Sequence, residues 1–366
     1  MLTNIVVETT NPKPIYIQLV EQLRQRILSG KLSSGFKFPP ATEFAMQLNV
    51  NRLTLRKSLQ ILEDQHFLVQ LHGRGTFVIY QNPQKNYKIG VIIFKNISLG
   101  RLITDPYFNQ VLLGISSLSN DYPHLSISTL AISEGDSKSA IQQKLANCDG
   151  IIIPGGTQEH IDLLLTNNIP LHPMAFLGSR NQKILDAGHI SIDLVSGSLE
   201  IALKHLLALG HRRIAYCGPD IATHHFQERN ASFIELQMKY SLPNPPEYYY
   251  IWHGNFFRYP REYCRQLMRS AQAPTAIMSG SMATGLLQGA LSLGLKIPGE
   301  LSIIGYDGLQ DGIITKLEQP VFKMARHAGL ILLNILNTGK IPSKREYLFT
   351  PHLGIHKSCG SPTRTD

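Results

Sequence analysis

Cysteine, tryptophan and charged residues are all scarce in this chain of 366 residues. It has four cysteines and one tryptophan, and charged residues make up only 17% of it. The cysteines, which are Cys148, Cys217, Cys264 and Cys359, lie far apart and lack the C-x-x-C spacing of a zinc or redox site. We therefore expect buried, reduced thiols in a reducing cytoplasm, with no metal site and no cofactor.

Long apolar runs and common catalytic motifs are also missing. No stretch approaches the ~20 consecutive apolar residues of a membrane-spanning helix. The segment MLTNIVVETTNPK lacks the basic start and apolar core of a signal peptide. HExxH, GxSxG and Walker motifs are absent as well. These gaps argue against a membrane protein, an exported binding protein and an enzyme.

Residues 39–78 are the stretch around which the chain is organised. Their pattern predicts two short helices, a tight turn and a glycine-tipped hairpin. Asn51 is a good N-cap for the second helix, on which Leu55, Leu59 and Leu62 share one face. This is the arrangement of a winged helix-turn-helix, which presents its second helix to the DNA major groove. The alternative is an ordinary helical hairpin with a solvated basic face.

The exposed side chains of this stretch have the chemistry of DNA contacts. Arg can bond guanine bidentately, and Thr can contact a phosphate or a thymine methyl group. An Arg between two glycines, as in HGRG, suits a narrow minor groove. We predict DNA contacts by Arg52, Thr54, Arg56, Lys57, Arg74 and Gly75.

Positive charge is concentrated on the same stretch. The whole chain carries a formal net charge of +9. Residues 13–80 contain nine Lys and Arg against four Asp and Glu, which leaves +5. More than half of the excess therefore lies in less than a fifth of the chain, as expected for a domain that binds a polyanion.

Residues 14–78 resemble the winged-helix domain of the GntR family of bacterial transcription regulators. The resemblance rests on PIYIQLVEQLRQRILSGKLSSGFKFPP, the second helix and GRGTFV. It implies a dimer on a short palindrome. The positions that match the family's DNA-contacting pattern are Arg52, Thr54, Arg56 and Gly75. Thr42, which we also predict to contact DNA, stands where the family usually has an Arg that contacts phosphate or base, and this departure implies a different operator sequence.

From Tyr87 onwards the sequence alternates between apolar strands and amphipathic helices. YKIGVIIF, GIIIP and TAIMS are strand-like, and KSAIQQKLAN is one of the helical stretches between them. Such alternation is typical of a parallel, doubly wound α/β sheet, and two series predict two lobes. We expect a winged helix-turn-helix domain over 13–80, a linker over 81–86 and a two-lobed effector-binding and dimerisation domain over 87–358.

This second part resembles the LacI/GalR regulators and the periplasmic sugar-binding proteins that share their fold. The motifs that carry the resemblance are DPYFNQVLLGI, DGIII, HLLALGHRRIAYCG, PTAIMSG and GLKIPGELSIIGYD. It implies a sugar-like effector in the cleft between the lobes. A GntR-like domain in place of that family's own helix-turn-helix resembles the arabinose-type repressors.

Several residues are candidate effector contacts. Tyr107 and Phe108 follow the first strand, where an aromatic ring either stacks on a ligand or fills the core. Asp193 either accepts hydrogen bonds from a ligand or caps the next helix. By position in the resemblance, Arg229 bonds the ligand and Phe256 packs on it; for Arg229 the alternative is a surface salt bridge.

The end of strand TAIMS departs from the resemblance. The family commonly has Asn-Asp there, and the Asp accepts hydrogen bonds from the ligand. Gly280 offers no acceptor, and Ser279 is the weaker replacement that we predict to contact the effector. This implies an effector held differently from a bidentately bound pyranose. We expect His224 and His225 near the cleft, but solvated.

The function that these features favour is transcription regulation. We expect a homodimeric cytoplasmic repressor whose partners are double-stranded operator DNA and a small-molecule effector. Effector binding would close the lobes, shift the dimer interface and disturb operator spacing. The alternatives are a GntR-type regulator fused to an enzyme-like module and a transport-type binding protein.

Overall fold

The chain folds into a winged helix followed by two α/β lobes. The computed structural model describes residues 2, 5–8, 10–80, 86–94, 106–133, 135–166, 172–254, 258–281, 283–306 and 312–363. The predicted linker falls almost entirely outside these ranges. The fold class predicted from the sequence is confirmed; the exact domain limits stay a prediction.

Three helices and a two-stranded wing build the first part. They are α1 (Ile15–Leu28), α2 (Ala41–Gln47), α3 (Arg52–Asp64), β1 (Leu68–Leu71) and β2 (Gly75–Val78). Asn51 caps α3 as predicted, since its side chain accepts the N–H of Leu53 at 2.8 Å. The predicted apolar face of α3 is buried and packs against α1. That packing leaves the opposite face of α3 to solvent.

The wing depends on two glycines in the left-handed region. Gly73 has φ 71° and Gly75 has φ 111°, conformations that residues with a Cβ adopt only at a cost. The strands pair antiparallel with Leu71 opposite Gly75. An extended segment around Lys37 adds to the wing, because the N–H of Phe38 donates to the Thr76 carbonyl at 2.9 Å.

Lobe 1 is built on a fully parallel six-stranded sheet in the order β13-β7-β6-β5-β3-β4. Its strands are β3 (Tyr87–Phe94), β4 (Leu125–Ile132), β5 (Gly150–Pro154), β6 (Met174–Leu177), β7 (Ile190–Leu194) and β13 (Glu346–Phe349). Its helices are α4 (Pro106–Ser116), α5 (Lys138–Leu145), α6 (Gln158–Thr166), α7 (Gln182–Asp186) and α12 (Val321–Thr338), with a 3₁₀ turn at Ser117–Asn120.

Lobe 2 repeats this plan in the order β14-β12-β11-β10-β8-β9, with β14 antiparallel to β12. Its strands are β8 (Ile214–Pro219), β9 (Tyr249–Trp252), β10 (Ala276–Ser279), β11 (Ser302–Tyr306), β12 (Thr315–Glu318) and β14 (His352–Gly354). Its helices are α8 (Leu199–Ala208), α9 (His224–Lys239), α10 (Arg258–Leu267) and α11 (Thr284–Ser292), with a 3₁₀ turn at Pro246–Tyr248. No helix in the described ranges is long and apolar enough to cross a membrane.

The chain crosses between the lobes three times. It leaves lobe 1 after β7, returns after β12 to form α12 and β13, and leaves again for β14. Helix α12 is largely buried against α4 and the strands of lobe 1. The cleft between the lobes therefore lies beside the crossings.

Candidate DNA interface and effector cleft

The predicted DNA-contacting side chains lie on one outward surface of the winged helix. Arg52 and Arg56 are exposed on α3, Thr54 is half-buried, and Thr42 is exposed in the first turn of α2. Lys57 is exposed too, but its Nζ lies 3.7 Å from the ring centroid of Tyr16 on α1. This cation–π contact holds the ammonium group in place.

The wing places its cation at the tip. Arg74 is exposed between the two left-handed glycines. A Cβ at Gly75 would lie 3.0 Å from Cε of Lys37, so glycine is favoured there by space as well as by φ. Lys37 and Arg74 thus add positive charge beside the outward face of α3.

A residue that the sequence analysis did not single out lies on the same surface. Leu53 is 72% exposed in the first turn of α3. The signal was present in the sequence, because Leu53 falls outside the apolar face of α3 defined by its other leucines.

Arg229, a predicted effector contact, is a buried cation of lobe 2. Its side chain is buried, its Nη1 donates to the carbonyl of Gly280 at 3.0 Å, and its guanidinium carbon lies 3.3 Å from the ring centroid of Tyr306. Its Nη2 is buried and has no hydrogen-bond partner among the described residues. The surface salt bridge considered as an alternative is therefore wrong. The guanidinium of Arg229 is therefore held in place by stacking, and its Nη2 is a hydrogen-bond donor that lacks an acceptor among the described residues.

Position 280 requires a glycine because the side chain of Tyr216 fills the space that a Cβ would occupy. A Cβ at Gly280 would lie 2.1 Å from the Tyr216 hydroxyl oxygen, an impossible contact. Tyr216 is fully buried and its hydroxyl donates to Asn230 at 2.8 Å. The same burial raises the pKa of the Tyr216 hydroxyl, so it stays a neutral donor.

Ser279 does not replace the missing acceptor in an open position. It is buried, and its Oγ accepts the N–H of Ser281 at 3.3 Å. As a contact to the effector it stays a prediction.

The two lobes touch along one side of the cleft. Thr157 of lobe 1 and Thr223 of lobe 2 form an isolated antiparallel bridge. His225 Nδ1 lies 3.4 Å from the carbonyl oxygen of Gly178, and His224 Nδ1 lies 3.4 Å from the buried carboxylate of Asp193. The expectation that this histidine pair is solvated is wrong for His225, which is half-buried at the contact with lobe 1, whereas the side chain of His224 remains 39% exposed.

The pKa values of the two histidines shift in opposite directions. The hydrogen bond with Asp193 raises the pKa of His224, whereas burial lowers the pKa of His225 to about 3. His224 therefore gains a proton more readily than an isolated histidine, and His225 stays neutral. The other Asp193 oxygen accepts the N–H of Leu194 at 2.8 Å, so the carboxylate already has partners on both sides.

The predicted aromatic contacts divide between two environments. Phe108 is 8% exposed and belongs to the hydrophobic core, so its placement among the effector contacts is corrected in favour of the core alternative. Tyr107 is half-buried, and its hydroxyl lies beside Gly178 and His225 at the lobe contact. Phe256 lies outside the described residues.

The winged helix packs directly on lobe 1. The buried carboxylate of Asp121 is hydrogen-bonded by Arg326 of α12 and lies 3.7 Å from Nε of Arg24 on α1. The rings of Tyr80 and Tyr122 meet edge to face at 5.5 Å. These contacts form the joint between the DNA-binding part and the lobes.

Two histidines complete the joint. His66 follows α3 and His327 lies on α12, with ring centroids 5.3 Å apart beside a cavity of about 440 Å³. His327 also lies near the backbone of Asp64, the last residue of α3. Burial, and then the neighbouring His66, lower the pKa of His327 to about 4. Helix α12 therefore holds the end of the candidate recognition helix.

Comparison with known sequences agrees with this division of the chain. Residues 15–78 match the model of the bacterial regulatory proteins of the gntR family, and residues 203–359 match that of the periplasmic binding protein-like domain. The arabinose metabolism transcriptional repressor of Geobacillus stearothermophilus is 24% identical, over 96% of this chain and 98% of its own. The HTH-type transcriptional repressor CytR of Escherichia coli K12 is 28% identical, over 63% of this chain and 70% of its own.

Solved structures show the same fold. A LacI-family regulatory protein from Chloroflexus aggregans superposes with a TM-score of 0.62 and 23% identity, covering 75% of this chain and 99% of its own. The lac repressor dimer bound to operator gives a TM-score of 0.61 and 20% identity, covering 76% and 95%. The chain therefore combines a winged helix that matches the gntR model with a two-lobed fold that matches the periplasmic binding protein-like model, which is the construction of a DNA-binding transcription regulator.

Proposed function

We propose that the protein is a cytoplasmic repressor that binds a short palindromic operator as a homodimer and releases it when a hydroxylated, sugar-like metabolite occupies the cleft. The exposed cations of α3 and the wing support DNA binding. The full-length similarity to a protein named as an arabinose metabolism repressor supports a small metabolite as the signal.

The observation that carries the effector proposal is the unsatisfied Nη2 of Arg229. A buried N–H without a partner costs free energy, more so when the group is charged. A ligand hydroxyl or carboxylate in the cleft would satisfy it, and the Tyr306 ring beneath keeps the guanidinium oriented. Since Gly280 supplies no carboxylate, we propose that the ligand accepts hydrogen bonds at this end.

The link from cleft to DNA runs through the crossings. The Tyr306 hydroxyl lies 2.9 Å from Oγ of Ser198, which follows the first crossing. The second crossing leads into α12, whose Arg326 and His327 contact the joint. A ligand that binds the closed lobes more tightly than the open lobes would shift this connection, whereas equal affinity for both would shift nothing.

The dimer is proposed to form through the lobes. Large apolar side chains are exposed on them, among them Leu113 on α4, Leu291 on α11 and Ile313. A variant without residues 1–86 should elute as a dimer from a sizing column with light-scattering detection. A monomer would contradict this assignment.

A ligand screen tests the proposal as a whole. We expect one or more pentoses, hexoses or nucleosides to raise the melting temperature of the full-length protein, because a ligand of the folded state stabilises it. The same compound should release DNA fragments that the protein has selected from a random duplex library. A stabilising compound that leaves DNA binding unchanged would contradict the switch, and failure to select any sequence would contradict the regulator.

A further inference from the structure

We propose that Leu53 recognises the C5-methyl group of a thymine in the operator and so determines part of its sequence. The inference rests on the proposed function, in which α3 enters a major groove. It adds an apolar contact to the arginine contacts predicted from the sequence.

The position of Leu53 on α3 is the first support. The buried face of α3 is formed by Leu55, Leu59 and Leu62. At 100° per residue, Leu53 points almost directly away from the centre of that face. It is 72% exposed, whereas Leu55, two positions later, is fully buried. The packing of the winged helix therefore gives no reason for a leucine here.

The surroundings of Leu53 are those of a contact residue. It lies in the first turn of α3, the end that enters the groove in helix-turn-helix proteins. Its N–H is bound by Asn51, which fixes the backbone of this turn. The exposed Arg52 and Arg56 flank it along the chain. One large apolar side chain thus lies among cations on the surface that faces DNA.

The groups that base pairs present in the major groove determine which of them Leu53 can recognise. Leucine has no side-chain hydrogen-bond donor or acceptor, so it cannot distinguish bases by hydrogen bonding. The thymine methyl is the one apolar group that the four base pairs present in the major groove. Side chains at i and i+3 on a helix are about 5–6 Å apart, and base pairs are spaced by about 3.4 Å. The thymine should therefore lie within about two base pairs of a guanine bonded by Arg56.

Deoxyuridine scanning tests this contact, because deoxyuridine differs from thymidine only by the missing methyl. The probe is the DNA that the full-length protein selects from a random duplex library, resynthesised with deoxyuridine at each thymine in turn. We expect one thymine per half-site whose replacement weakens binding by the parent about fourfold, as follows from roughly 0.8 kcal/mol per buried carbon group. Leu53→Ala should bind both versions equally.

Two comparisons keep the result unambiguous. Met238→Ala removes another exposed large apolar side chain, on α9 of lobe 2, and should keep the parent's deoxyuridine profile. A selection repeated with Leu53→Ala should lose the preference for thymine at that position. If no deoxyuridine weakens the parent, or if Leu53→Ala keeps the parent's profile, the assignment is overturned although the protein still selects DNA. If no sequence is selected at all, the proposed function fails and the assignment fails with it.

Discussion

The DNA-binding part and the proposed effector cleft differ in how they position their candidate functional side chains. In the winged helix, Arg52, Arg56 and Arg74 are exposed on short elements that are close in sequence. In the cleft, Arg229 and Asp193 are buried and come from different lobes. In the proposed function, the first surface meets a large polyanion that approaches from outside, and the second encloses a small molecule.

The difference has a physical consequence for how each site can change. An exposed arginine is satisfied by water until DNA arrives, so its removal leaves the free protein almost unaffected. A buried guanidinium depends on fixed partners, here the Gly280 carbonyl and the Tyr306 ring. We therefore expect cleft variants to alter both ligand affinity and stability, and DNA-face variants to alter affinity alone.

The largest effect should follow from removing the cleft cation. Arg229→Ala should weaken effector binding by about 1.5–3 kcal/mol, because a charge-assisted hydrogen bond is lost. Its operator affinity without effector should equal that of the parent, but effector concentrations that release the parent should not release the variant. Calorimetric titration and operator release by fluorescence anisotropy measure the two properties.

Arg258→Ala is the matched control for this variant. Arg258 is an exposed arginine of the same lobe, and its Nε donates to Glu262 in the next turn at 3.0 Å. It should retain normal effector binding and release. If Arg229→Ala binds effector as tightly as the parent, the cleft has been assigned wrongly; if it loses operator binding without effector, its role is structural.

A slightly smaller effect is expected on the DNA face. Arg52→Ala and Arg56→Ala should each weaken specific binding by about 1–3 kcal/mol if the side chains bond bases. The melting temperature should stay within a degree or so of the parent, since both side chains are exposed. Unchanged affinity in electrophoretic shifts would remove α3 as the recognition helix.

The two regions also differ in how far the sequence predicts them. The N-cap at Asn51, the apolar face of α3 and the glycines of the wing are local signals, and the structure confirms the elements that they predict. The alternation that predicts two α/β lobes is local as well. The spacing of Leu53 relative to the other leucines of α3 also predicts that it is exposed.

The cleft could be predicted only in part. Which lobe receives β13 and β14 depends on long-range pairing that no local pattern encodes. The contacts of His224 with Asp193 and of His225 with Gly178 likewise arise only when the two lobes face each other. The role of Gly280 required the position of Tyr216, which lies 64 residues earlier in the chain. The resemblance to a known family predicted Arg229 as an effector contact, but it gave no sign of the nitrogen that lacks a hydrogen-bond partner among the described residues.

The joint between the regions should respond to acid. The pKa of His327 is lowered to about 4 in the folded protein, below the ordinary value of 6.5. Because the folded protein disfavours protonation of His327, the free energy of unfolding is highest above about pH 6.5. It decreases as the pH falls from there towards 4. Between pH 7 and pH 5 the loss should be on the order of 1–2 kcal/mol, after discounting for partial exposure.

Histidine-to-glutamine variants isolate this contribution. His327→Gln keeps a polar side chain of similar size but cannot titrate, so its free energy of unfolding in denaturant should fall less between pH 7 and pH 5. His124→Gln changes an exposed histidine of lobe 1 and should show the same pH dependence as the parent. Equal slopes for parent and His327→Gln would contradict the proposed acid sensitivity of the joint.

The smallest expected effect concerns Lys57, an exposed cation that is held over an aromatic ring in the same way as the buried Arg229. Its ammonium group is held over Tyr16 much as Arg229 is held over Tyr306. We expect Lys57 to bind a phosphate from this position, so Lys57→Ala should weaken binding only a few-fold and equally for all sequences. The slope of log affinity against log salt should fall by about one, because one fewer counterion is released. Tyr16→Leu keeps the charge but not the ring, and should weaken binding less than Lys57→Ala while leaving the slope unchanged. If Lys57→Ala lowers the melting temperature but alters neither affinity nor slope, then Lys57 joins α3 to α1 and makes no contact with DNA.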